Sequence, residues 1–168
     1  MWKRKSTASK NYELFVEMIG SCQEDFYRFV YMYVKNPDNA MDIVQEATIK
    51  GLEKIETLRD SSYMKTWFFR ILMNESLNFL KKNQKLVSSG EVEDNVPYQC
   101  EESQTVDRIT LYEMVDRLPE DMRSVIILRF YEDMKISEVA QTLQLNENTA
   151  KARLYKAIRI LKRQMERE

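Results

Sequence analysis

The chain has 168 residues, 43% of them hydrophobic and 32% charged, with a formal net charge of −1. Its longest apolar runs, Trp67 to Phe69 and Val125 to Leu128, fall far short of the roughly 20 residues a bilayer span needs. There is no histidine and there are only three glycines, which removes imidazole acid–base chemistry, His-containing metal sites and glycine-rich phosphate loops together.

From the N-terminus, "MWKRKSTASK" starts basic but leads into polar sequence, so no secretory signal is expected and a cytoplasmic protein is the default. Residues 1–12 read as an N-terminal tail. Phe26, Phe29, Val30, Tyr33 and Val34 follow the i, i+3, i+4, i+7, i+8 spacing of one buried helical face. Asn36-Pro37-Asp38 ends that helix and opens another, because Pro suits a first helical turn and Asp favours the N-terminal dipole. In this second helix Val44, Ala47, Leu52 and Ile55 face inward. Asp42, Gln45, Glu46, Ile49 and Glu53 share the other side. A long helix is expected from about Tyr63 to Lys82, capped by Ser61 or Ser62.

The charges are segregated along the chain. Tyr63 to Lys85 holds five basic residues against the single acid Glu75, and Glu147 to Arg163 holds six against Glu147. Between them Leu86 to Asp107 has six acids and no Lys or Arg. With its Gly, Pro and Ser residues this middle segment reads as a linker, which cannot bury a core. Cys22 and Cys100 stand in no metal-ligand spacing and are expected to be reduced thiols. No cofactor or metal is expected, and no carboxylate pair stands out for catalysis, so an enzyme is disfavoured.

Periodicity returns with Leu111, Met114, Val115 and Leu118. Leu118-Pro119-Glu120-Asp121 looks like another helix start, with Met122, Val125 and Ile126 inward. "SEVAQTLQLNENTAKARLYKAI", Ser137 to Ile158, then has the form of a helix-turn-helix. Ser137 is the expected first cap, Val139, Ala140 and Leu143 point inward, and Leu145 plugs the corner. Gln144 or a neighbour must take the left-handed turn conformation that Gly usually fills. Asn146 is positioned to cap the second helix. Its inward stripe is Ala150, Leu154, Ala157, Ile158 and Leu161. Asn148, Lys151, Ala152, Tyr155, Lys156 and Arg159 are left outward or on the rim. Cations and amides near the front of an exposed helix suit major-groove readout. The plainer alternative is a solvated charged face, which any helix hairpin has.

The company of this hairpin carries more. "LPEDMRSVIILRFYEDMKISEVAQTLQLNENTAKARLYKAIRILK" resembles region 4 of bacterial RNA polymerase sigma factors, through Leu-Pro, Arg123, the "VIILR" core, and Thr149, Lys151, Arg153 and Leu154. "NPDNAMDIVQEATIKGLEKIETLRDSSYMKTWFFRILMNESLNFLKK" looks like sigma region 2, through "DIVQE", the loop before "TWFFRI", and Asn74 and Asn78. No room for a folded region 3 lies between them and no region 1 is seen before them, a layout similar to the extracytoplasmic-function (ECF) group. The fold expected is all-α: a helical domain over 13–85, an acidic linker over 86–107, and a helix-turn-helix domain over 108–168.

The resemblance implies a promoter-recognition factor that docks on core RNA polymerase and helps open DNA. It assigns Asp42, Gln45, Glu46 and Ile49 to the polymerase β′ clamp helices. It assigns Arg59, Asp60, Ser61, Asn74 and Asn78 to bases or their pockets at the −10 element, and Lys65, Arg70, Lys81 and Lys82 to the DNA backbone there. Tyr63 is the stacking candidate beside that loop, while Trp67 and Phe68 sit at core spacing. At the −35 element it points to Asn148, Thr149, Lys151, Ala152, Tyr155 and Lys156, with Arg153 and Arg159 on phosphates. Ala152 stands where Ser is common, which bears on the promoter sequence read. Val125 to Phe130 is expected to include surface or support for the β flap. An anti-sigma factor, membrane-anchored in many members, is the further partner the resemblance implies. A free-standing helix-turn-helix regulator acting without polymerase is the alternative.

Overall fold

The computed structural model describes residues 2–88 and 106–166, with side chains over 9–84 and 111–166. Its regular elements there are all helical. The chain divides into two compact units, Met1–Tyr98 and Gln99–Glu168.

In the first unit, α1 (Trp2–Ser21) is followed by α2 (Gln23–Val34), α3 (Pro37–Lys54) and α4 (Met64–Ser88). Residues 2–12, expected as a tail, form the first half of α1. Helix α2 stops where Lys35 turns left-handed at φ 54°, its N–H bonded to the Tyr31 carbonyl. Asn36 then caps α3 by accepting from the Asn39 N–H at 2.9 Å, with Pro37 in the first turn. Local chemistry therefore sets this corner.

The core of the unit is aromatic. Phe15, Phe26, Phe29, Phe68 and Phe69 are fully buried, and they meet edge-on, with Phe26 4.8 Å from Phe68 and Phe29 4.9 Å from Phe69 between ring centroids. Such pairs add to the area-driven gain of burying each ring. Helix α1 reaches this core only because α3 has Gly51 at the crossing. A Cβ there would stand 2.5 Å from the Phe15 ring. Val44, Ala47 and Ile55 are buried as expected, while Val34 and Leu52 are only half-buried.

The start of the long helix differs from the sequence expectation. The Asp60 carboxylate, rather than Ser61 or Ser62, makes the cap, accepting from the Ser62 N–H at 2.9 Å and its hydroxyl at 2.7 Å. A one-turn 3-10 segment, Ser61–Tyr63, follows, and α4 begins at Met64. Carboxylates are strong caps because they accept from orphan N–H groups at a helix start. Helix α4 continues through Leu86 to Ser88; the rest of the expected linker, residues 89–105, lies outside the described residues, and Val106 and Asp107 open the next helix.

The second unit holds α5 (Val106–Asp116), α6 (Glu120–Ile126), a π-helical turn over Ile127–Tyr131, α7 (Ile136–Thr142) and α8 (Glu147–Met165). Val115, Leu118, Met122, Ile126 and Ala157 form its core, with Leu154, Ile160 and Leu161 packed on it. Leu111 is exposed rather than inward, and so is Ile158, since Ile160 takes the packing place on α8. Helix α7 opens at Ile136 after Lys135, so Ser137 lies inside the first turn; Glu138 closes that end by accepting from the Lys135 N–H at 2.7 Å. The turn to α8 is made by Gln144 at φ 55°. The Leu145 N–H donates to the Ala140 carbonyl at 2.8 Å, which ties the corner closed around the small residue.

Candidate polymerase and promoter interfaces

On α3 the residues Asp42, Gln45, Glu46 and Ile49 are all exposed and share one face at i, i+3, i+4 and i+7 spacing. Ile49 is 54% exposed, an apolar side chain set among carboxylates and an amide. Met41, 41% exposed, borders the same face and escaped the sequence reading. So did Lys50. Its ammonium lies 2.7 Å from Glu75 on α4 and 3.2 Å from Glu46. Hydrogen bonding to Glu75, assisted by Glu46, raises the Lys50 pKa above the usual lysine value. The i, i+4 pairing with Glu46 is legible in sequence, but the reach to Glu75 spans 25 residues and needs the fold.

The loop before α4 presents Arg59, Ser61 and Tyr63 to solvent. Asp60 is exposed too, but its carboxylate is committed to Ser62. The Ser62 hydroxyl, then its N–H, holds that carboxyl below the usual range. Asp60 is therefore placed to shape the loop. Tyr63 is 46% exposed, with its ring available beside the loop. Phe68 is fully buried and Trp67 half-buried, its ring 5.9 Å from Phe15 in an edge contact.

Along α4, Arg70, Asn74, Asn78, Lys81 and Lys82 fall on one stripe at helical spacing. Both asparagines and both lysines are exposed, and Arg70 is half-buried. Lys65 stands apart from them. It lies on the side of Phe69 and Leu72, its ammonium 4.0 Å from Asp25 on α2 and 5.7 Å from the Phe69 ring centroid. Seven of the eight exposed −10 candidates outside the cap (Arg59, Ser61, Tyr63, Asn74, Asn78, Lys81 and Lys82, but not Lys65) are thus loop or stripe residues.

On α8 the Asn146 side chain caps the helix by accepting from the Thr149 N–H at 2.8 Å. Asn148, Lys151, Ala152, Tyr155, Lys156 and Arg159 are exposed, and Tyr155 at 65% is the most open large hydrophobic side chain described on the helix. Ala150 and Ala157, on the opposite side, are fully buried. The Lys151 ammonium is 2.8 Å from Glu147, one turn earlier. That hydrogen bond raises the Lys151 pKa and keeps the side chain at the front of the helix. Thr149 is half-buried. Arg153, assigned from sequence to a phosphate, is half-buried with its Nε 3.4 Å from Asp121 on α6. That ion pair links α8 to α6.

Val125 to Phe130 separates into two parts. Val125, Ile126, Ile127 and Leu128 are buried, while Phe130 is 58% exposed. The π turn does this: the Glu132 N–H bonds the Ile127 carbonyl at 3.2 Å, which rotates the end of the helix and turns Phe130 outward. Arg129 lies over the Phe130 ring at 5.7 Å and within 3.5 Å of Asp133. Burial pushes the neighbouring Tyr131 phenol pKa up. Among the described residues no helix is long and apolar enough to cross a membrane.

Comparison with known proteins meets this geometry at both units. Residues 18–86 match the family described as Sigma-70 region 2, and residues 108–161 match Sigma-70, region 4. The chain is similar to the RNA polymerase sigma factor SigV of Bacillus subtilis (strain 168), 37% identical over 166 residues, covering 99% of this chain and 98% of that protein. It is also similar to the ECF RNA polymerase sigma factor SigX of the same organism, 26% identical over 164 residues, covering 92% and 84% respectively. Among solved structures, the sigma factor RpoE of Bartonella quintana, in complex with the anti-sigma factor NepR, shares the fold. Its TM-score is 0.75 at 23% identity, covering 90% of this chain and 96% of that one. The paired matches, in order along one chain, disfavour a free-standing helix-turn-helix regulator. The chain belongs to the sigma-70 family as an ECF sigma factor of regions 2 and 4, and it directs core RNA polymerase to promoters.

Proposed function

We propose that the two units divide this work as follows. The α3 face of Asp42, Gln45, Glu46 and Ile49 docks on the β′ clamp helices of core RNA polymerase. The loop residues Arg59, Ser61 and Tyr63, with Asn74 and Asn78 on α4, receive bases of the −10 element, and Arg70, Lys81 and Lys82 hold its phosphates. Bases that leave the stack need polar pockets and a ring to stack on, which this surface offers. Asp60 acts through the loop's shape, and Lys65 makes at most a peripheral phosphate contact beside α2.

Helix α8 reads the −35 element through Asn148, Lys151, Ala152, Tyr155 and Lys156, with Arg159 on phosphate, Thr149 at the rim and Arg153 bracing the helix against α6. The observation that carries this division is α8 itself. It is capped at its front, buried along the alanine stripe, and open along a face of cations, amide and tyrosine. Lysine can donate to guanine and asparagine can pair with adenine in the major groove, while Ala152 offers a methyl surface to thymine. Phe130 is the exposed member of a β flap surface for which Val125 to Leu128 are the support.

In this role the protein makes and breaks no covalent bond; polymerase does the chemistry, in the cytoplasm. An anti-sigma partner belongs to the same reading, supported by the RpoE neighbour solved with one. The acidic segment between the units serves as the connector. A run-off transcription assay with core polymerase, with and without this chain on genomic fragments, tests the whole. Specific transcripts that require the chain are expected. Tight, specific duplex binding without polymerase and no new transcripts would reject it.

A further inference from the structure

We infer that Asn11 is a positioning residue for promoter melting, its side-chain amide orienting the loop that offers Arg59, Ser61 and Tyr63 to the −10 strand. This rests on the proposed −10 role of that loop. Asn11 lies on α1, is 4% exposed, and its Nδ2 donates to the Leu58 carbonyl at 3.0 Å across 47 positions of sequence. Leu58 is the residue just before Arg59. Its carbonyl belongs to the planar peptide that joins them, so holding that oxygen sets the direction in which the chain enters Arg59.

The neighbouring hydrogen bonds of the loop are local. The Leu58 N–H donates to Ile55 at 3.1 Å, the Thr57 hydroxyl to Lys54 at 2.7 Å and the Tyr63 N–H to Asp60 at 3.2 Å. The Asp60 carboxylate closes onto Ser62. Each fixes the shape of one turn, and the Thr57 bond reaches only Lys54 at the end of α3, from which the loop continues; none of them ties the loop to another helix. Burial of Ile55 and Leu58 anchors the loop against that body, but hydrophobic contact is non-directional. The Asn11 bond supplies the direction. A buried amide is a costly choice where a Leu would fill the space, unless its bond is needed. Base capture needs such precision, because a loop placed loosely loses discrimination before it loses binding.

The test uses holoenzyme reconstituted from core polymerase and the full chain carrying Asn11→Leu, which keeps the bulk and removes the donor. Val30→Ala, a core substitution on α2, controls for lost packing. The probes are single-stranded oligonucleotides covering the −10 element of a promoter this chain transcribes, and copies substituted base by base. Asn11→Leu should lower the ratio of affinities, matched over substituted, by about tenfold while core association stays within about twofold. Val30→Ala should lower the melting temperature and leave the ratio unchanged. An unchanged ratio for Asn11→Leu overturns the positioning role, as does an equal fall for Val30→Ala. Should Asn11→Leu yield no folded chain, Asn11→Ala is read by the same ratio. Arg59→Ala and Tyr63→Ala separate the two levels of inference. If both keep the wild-type ratio, the −10 role of the loop fails and the Asn11 role with it. If they lower the ratio and Asn11→Leu does not, only the Asn11 role fails.

Discussion

Lys50 on α3 donates to Glu75 on α4 across 2.7 Å, joining the helix proposed to face polymerase to the helix proposed to face DNA. Glu75 is one residue past Asn74, and Lys50 is one turn past Glu46, so the pair sits between the two proposed surfaces. Removing one partner of this half-buried pair should cost about 1 kcal/mol. Lys50→Met should therefore lower the melting temperature of the first unit by roughly 4–8 °C, seen by calorimetry. The Lys50 pKa is raised in the folded protein. The stability it confers is thus full below the usual lysine value of about 10.4 and lost as pH rises through the higher folded one. The wild type and Lys50→Met should differ at neutral pH and converge above that range. A difference that persists in strong alkali would show that the ion pair is not its source.

The docking face predicts a different failure. Glu46→Lys with Ile49→Asp reverses one charge and desolvates another against a partner helix, while both side chains are exposed in the free protein. Co-purification with core polymerase should be abolished and the helical circular dichroism retained. Unchanged co-purification would move the docking surface elsewhere.

Lys151 and Arg159 should separate base readout from backbone contact. Lys151→Ala should reduce transcription roughly ten- to a hundredfold at some −35 sequences and little at others, with core association unchanged. Arg159→Ala should weaken all −35 variants alike and reduce the salt slope of binding by about one. Equal losses for Lys151→Ala across every −35 variant would remove it from base readout. Arg153→Ala should behave as neither, because its partner is Asp121; lower stability of the second unit is its first expected effect.

Gln144 holds φ 55° in the helix-turn-helix corner. A non-glycine residue in that region is strained by about 1 kcal/mol, part of which glycine would return as entropy of the unfolded chain. Gln144→Gly should raise stability by roughly 0.5 kcal/mol without changing promoter choice. Denaturant unfolding measures the gain. A destabilised variant would mean that the Gln144 side chain carries a contact worth more than the strain.

Much of this protein was written locally. Asn36 and Asn146 cap helices because their side-chain oxygens reach N–H groups three residues on, a relation one stretch of chain completes by itself. The periodic Phe26, Phe29 and Val30 name a buried face, and the exposed faces of α3 and α8 follow from the same 3.6-residue period. The family, and with it the polymerase role, was legible from two motifs in order. What sequence could not settle depends on residues far apart meeting in space. Arg153 meets Asp121 only because α6 packs beside α8. Phe130 belongs to an apolar run until a π turn rotates it outward. Lys50 meets Glu75, and Asn11 meets the Leu58 carbonyl, only after α1, α3 and α4 have packed on the phenylalanine core. Periodicity assigns a side to each helix, but ion pairs and buried hydrogen bonds select single partners, and only tertiary packing decides which.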